Sequence, residues 1–111
     1  ILHPGSTATL SLMRGTCPTH MILCHIARND SLRSLNKIKI PDLKKFIELN
    51  ESLSSVLGTY PKAKVVGLAL NTSLMSEKKA KEIINTVENE TGIPATDVVR
   101  YGGGKIFSSL I

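Results

Sequence analysis

Three apolar runs in this chain end in residues able to do chemistry. Met21 to Ile26 carries His25 near its end, with Arg28 close behind and Arg33 in the polar stretch that follows. Lys64 to Leu70 is almost wholly apolar and stops abruptly at Asn71 and Thr72. Asp97 to Tyr101 ends in Arg100, Tyr101 and the glycines from Gly102 to Gly104. A histidine titrates near neutrality and so suits general acid or base work. Arginines hold carboxylates or phosphates in a bidentate fork. Asn and Thr at a strand end either read an amide, a base edge or a carboxylate, or cap the backbone where the strand turns. The arginines have an equally ordinary use as solvated surface charges.

These groups meet only if their segments lie side by side and point the same way. Lys64 to Thr72 is the run that organises such a sheet, because a strand with no polar face is buried on both sides. Helical patterns flank it. Pro41 to Leu57 carries an apolar stripe of Leu43, Phe46, Ile47, Leu53, Val56 and Leu57, with Asp42 at the positive dipole end and Gly58 closing it. Glu77 to Thr91 starts after Ser76 as N-cap, buries Ala80, Ile83, Ile84 and Val87, and stops at Gly92 before Pro94. A shorter helix is expected over Ser6 to Arg14, stopped by Gly15, and a last one from Lys105 to Ile111. Met21–Ile26 and Asp97–Tyr101 are the outer strands, and Ala27 to Lys39 is a long basic loop. The order helix, strand, helix, strand, helix, strand, helix specifies an α/β fold, a three-layer arrangement about a parallel sheet. In open sheets of this class ligands sit beyond the carboxyl ends of the strands. His25, Arg28, Arg33, Asn71, Thr72, Arg100 and Gly102 are therefore the candidate binding rim.

Composition narrows the partners. With 111 residues, 41% hydrophobic and 4% aromatic, the chain fits one aliphatic-cored domain or part of one. No tryptophan and few aromatics leave nothing on which bases could stack, so no nucleic-acid partner is expected. A net charge of +5 favours an anionic small-molecule substrate or serves solubility. Cys17 and Cys24 have neither disulfide nor metal spacing, and the three histidines are scattered, so no metal is expected. Cys24, inside an apolar run, is expected to be a small buried hydrophobe. No apolar run approaches the ~20 residues of a membrane span, and a cytoplasmic setting is expected. Gly102 to Lys105 is not a phosphate loop: the pattern G-x-x-x-x-G-K-[ST] needs Gly where Val99 stands and Ser or Thr where Ile106 stands. A tight turn before a helix is expected there. The chain opens on Ile1 rather than methionine, and three strands make a small sheet. More strands are expected outside the chain or in a partner, either the rest of a parent chain or a homo-oligomer.

His3-Pro4, Thr9 to Gly15, Met21 to His25, Ile40 to Leu43, Val65 to Thr72, Gly92 to Pro94 and Asp97 to Gly102, in this order and spacing, resemble the carboxyl-terminal P-loop-like domain of a family that includes D-glutamate (D-amino-acid) N-acetyltransferases. The resemblance covers essentially the whole chain. It implies that residues 1–111 are the latter part of a P-loop NTPase-like (Rossmann-like) domain, with the phosphate loop preceding Ile1 in a longer parent. It also implies acetyl-CoA as co-substrate and a D-amino acid as acceptor, with His25 or His3 taking the amine proton. Arg28 or Arg33 would hold the substrate carboxylate or the CoA phosphates. The end Leu70-Asn71-Thr72 also looks like the base-contacting strand of dethiobiotin-synthetase-like proteins. That likeness implies an adenine contact and, as alternative, ATP with Mg in a ligase or kinase. A non-catalytic interaction domain is the third expectation.

Overall fold

The computed structural model describes the chain except residues 3, 4, 6, 28–30, 33, 34, 40 and 41, and except the side chains of 31, 32, 35–39 and 57. Its elements run α1 (Thr7–Gly15), β1 (His20–Ile26), β2 (Ser31–Leu32), β3 (Leu35–Lys39), α2 (Leu43–Ser55), a 3₁₀ turn (Val56–Gly58), β4 (Lys64–Asn71), α3 (Glu77–Thr91), β5 (Ala95–Thr96), α4 (Val98–Tyr101) and α5 (Gly104–Ser108). It is a small α/β domain. The chain divides into two units, Ile1–Met21 with Asn29–Lys64, and Ile22–Arg28 with Val65–Ile111.

In the first unit, α1 runs through Gly15, and Cys17 rather than the glycine takes the left-handed conformation, at φ 47°. Asp42 is the cap of α2, not a member of its first turn: its carboxylate accepts from the Lys45 N–H at 3.0 Å. The helix buries Phe46 and Ile47. Its buried polar side chains are satisfied on their own backbone, Asn50 Nδ2 donating to Phe46 O and Ser54 and Ser55 to Glu51 O. The 27–39 segment is not the plain loop expected from its polarity. β2 and β3 pair antiparallel within it, Leu32 opposite Leu35.

In the second unit the sheet order is β1-β4-β5 and the strands are parallel. The central place of β4 follows from its composition. Val65, Leu68 and Leu70 are buried, Leu68 completely, and its burial does not alternate, as a strand covered on both faces requires. Ala80 and Ile84 of α3 and Ile106 of α5 complete this core, with Ala95 of β5. Ser76 caps α3 by accepting from the Lys79 N–H, and Gly92 closes it at φ 70°. Both ends fall where Ser76 and Gly92 place them from sequence.

β1 is different. Its residues alternate exposed and half-buried, with Ile22, Cys24 and Ile26 on the exposed side. Cys24 is thus not the buried hydrophobe its neighbours suggest; both cysteines are free and exposed. An edge strand needs only one covered face, and alternation follows.

The third strand also differs from expectation. It is Ala95–Thr96, and Val98–Tyr101 is a helical turn. The β-branched pair Val98-Val99 carries the strand signal. Asp97 overrides it by accepting from the N–H groups of Val99 and Arg100 at 3.0 and 3.1 Å, which starts a helix.

Gly67 has a packing reason to lack a side chain. A Cβ there would lie 2.6 Å from Ile106 Cγ2, and Ile106 is itself buried. Gly67→Ala is therefore expected to destabilise by about 1–3 kcal/mol through overpacking. Pairing it with Ile106→Ala, which removes both γ carbons that a Cβ at position 67 would meet, should cost less than the two single changes added together in urea unfolding. An unchanged midpoint in the Gly67→Ala variant would show the core has room.

Candidate functional site

The parallel sheet brings its carboxyl ends together. The Ala27 N–H, two residues past His25, donates to Asn71 O at 3.1 Å, so the ends of β1 and β4 share one rim. Thr72, the next residue after β4, is joined to Asp97, the next after β5. Its N–H donates to Asp97 Oδ2 at 3.0 Å and its hydroxyl donates to the same oxygen. Arg100 closes the group: Nη2 donates to Thr72 O at 3.0 Å and to Met75 O at 2.6 Å, and Nε lies 3.7 Å from Asp97 Oδ2.

Each group's electrostatics follows from these contacts. Burial pushes the Asp97 carboxyl upward, but hydrogen bonds from Thr72, Arg100 and Val99 outweigh it and leave the pKa below the ordinary carboxylate value. Burial pushes the half-buried His25 imidazole below its ordinary value, so it is neutral at pH 7. A neutral imidazole has a lone pair for a proton.

The candidate residues divide. Asn71 is exposed on the rim; its Oδ1 accepts from the Ser73 N–H at 3.0 Å, and its Nδ2 has no partner among the described residues. Thr72 is 1% exposed, with its hydroxyl proton turned inward to Asp97. The Arg100 guanidinium is turned onto backbone carbonyls rather than outward. Gly102, at φ 76°, ends α4 with its N–H on Val98 O. Arg100 and Gly102 are thus one helical turn beyond the strand end rather than on it. His3, Arg28 and Arg33 lie outside the described residues. Lys105 is held by Glu88 Oε1 at 2.8 Å and Ala95 O at 3.1 Å, as a turn-and-helix element and not a phosphate loop would have it.

Asp97 is the residue the sequence reading missed. The signal was present, since Asp ahead of Val-Val-Arg has the form of an N-cap followed by a first turn. A separate cleft of about 440 Å³ lies in the first unit, lined by Glu48, Glu51, Ser55, Lys62 and Lys64. Among the described residues no cluster could hold a metal ion, and no helix is long and apolar enough to cross a membrane.

Residues 1–107 match a family model described as a domain of unknown function, DUF1611_C, P-loop domain. The chain belongs to the DUF1611 family. A solved structure of a DUF1611 family protein from Anabaena variabilis superposes with a TM-score of 0.96 at 43% identity, covering 99% of this chain and 32% of that one. Two curated relatives carry the name D-glutamate N-acetyltransferase. The Pseudoalteromonas protein is 30% identical over 109 residues, which is 97% of this chain and 32% of the relative. The Tritonibacter scottomollicae protein is 30% identical over 105 residues, 95% of this chain and 31% of the relative. This DUF1611 chain therefore spans about a third of the length of the relatives it matches.

Proposed function

We propose that the full-length protein bearing this chain moves an acetyl group from acetyl-CoA to the amino group of a D-amino acid such as D-glutamate. The observation that carries this reading is the name shared by two relatives that align with nearly the whole chain. The substrate ammonium first loses a proton to a base. The free amine attacks the thioester carbonyl, the N–C bond forms, the C–S bond breaks, and the leaving thiolate takes up a proton. His25, neutral and at the end of an edge strand, suits the base, with His3 as the other candidate. Arg28 and Arg33 are assigned to the substrate carboxylate or the CoA phosphates. Asn71 is assigned to an amide, base or carboxylate edge at the rim. The remaining two thirds of the polypeptide, or a second copy, supplies the rest of the site. Two free exposed thiols suit a reducing, cytoplasmic setting.

Full-length protein mixed with acetyl-CoA and D-glutamate should release free thiol in proportion to N-acetylated product. No thiol release across several D-amino acids would end this reading. The family's description as a P-loop domain favours one alternative, a nucleotide-dependent enzyme binding ATP with Mg. Calorimetry separates them: tight ATP binding with no response to acetyl-CoA selects the alternative.

A further inference from the structure

Asp97 is 3% exposed. A carboxylate that deep is tolerated only when hydrogen-bond donors fill it. Capping α4 occupies Oδ1, which accepts from the Val99 and Arg100 N–H groups. Oδ2 is directed instead at Thr72, 25 positions away in sequence, taking both its N–H and its hydroxyl. Arg100 reaches back to the carbonyls of Thr72 and Met75. The segment leaving β4 is thus held by its donors and by its acceptors. Beside it, the Asn71 amide has only one sensible orientation, because a flip would bring its nitrogen against the Ser73 N–H. With Oδ1 engaged by Ser73, exposed Asn71 offers its NH₂ group, two donors and no lone pair, with no partner among the described residues.

We propose that Asp97 is the positioning residue of the ligand rim. It holds residues 71–75 so that Asn71 presents its amide nitrogen to a hydrogen-bond acceptor on the ligand. Acceptors of that kind are a carboxylate, carbonyl or phosphate oxygen, or a ring nitrogen. An ammonium group cannot be held by that nitrogen, since donor would face donor. This inference rests on the reading of the carboxyl rim as the ligand site. It assigns Arg100 to holding the backbone rather than to clamping an anion.

The test is calorimetry on the full-length protein with acetyl-CoA and with D-glutamate as probes. Asn71→Asp, at an exposed position, replaces the two donors by an acceptor and should weaken one probe by about tenfold or more. Thr72→Val removes the hydroxyl donated to Asp97 and should weaken the same probe, while Thr72→Ser restores it. Val99→Ala, at a residue 93% exposed, should change neither affinity. A Thr72→Val protein that melts earlier yet binds both probes as before would make Asp97 purely structural and overturn the proposal. If that variant does not fold, Asn71→Asp decides: unchanged affinity for both probes overturns it. Wild-type protein that binds neither probe ends both the functional reading and this one, whereas wild-type binding insensitive to every variant ends this one alone.

Discussion

Replacing Asp97 with alanine should remove about 3–5 kcal/mol of stability, the range for deleting one member of a buried charged network. The loss has identifiable parts. Val99 and Arg100 lose the cap of their helical turn, and such a cap is worth about 1 kcal/mol. The Thr72 N–H and hydroxyl, both buried, lose their acceptor, at about 1–3 kcal/mol for a buried group left unpaired. Against a whole-domain stability of about 5–15 kcal/mol this is a large share, and urea unfolding should show it as a lower midpoint. A variant with the wild-type midpoint would mean that the carboxylate's desolvation cancels its hydrogen bonds.

The same contacts set the acid limb of the stability profile. Asp97 is held below its ordinary value of 3.8, so its contribution is present above that pH and is lost as pH falls through the lower folded value. His25 also loses stability on acidification, in an earlier window. Below its ordinary value of 6.5 the unfolded chain takes up a proton that the folded imidazole resists. His25→Gln should flatten the first decline and leave the second, and unfolding midpoints measured across pH would show whether the two separate.

Leu68→Ala is expected to cost about 2–5 kcal/mol, since it opens a cavity where the surroundings are least able to collapse. Leu68 is fully buried at the middle of β4, and its N–H is bonded to Pro94 O at 2.9 Å, so the backbone cannot shift to fill the gap. A cost under about 1 kcal/mol would mean the site repacks, which close-packed interiors rarely do.

Some of this was legible in the residues alone. An unbroken apolar run identifies β4, and Ser76 and Gly92 locate both ends of α3, because caps and buried strands are local chemistry. The rim was legible as a consequence of parallel strands. The latch across it was not. Val98-Val99 suggested a strand because β-branched residues favour one, and only the side chain of Asp97 decides otherwise. Thr72 and Arg100 looked like ligand groups for a related reason. Sequence shows which hydrogen bonds a side chain is able to make, while the fold determines whether backbone or solvent receives them. Cys24 looked buried because a short apolar run does not reveal whether its strand is central or at the border.

That border strand has a practical consequence. With Ile22, Cys24 and Ile26 in water on one side and no neighbour beyond β1 among the described residues, the 111 residues produced by themselves offer an adhesive seam. Such seams zip together between molecules, and in air the Cys24 thiols of two copies can be oxidised by dissolved oxygen to a disulfide that locks the product covalently. Preparations of this stretch are best kept dilute and with a reducing agent, and gel filtration with and without it would show how much of any aggregate is held by sulfur.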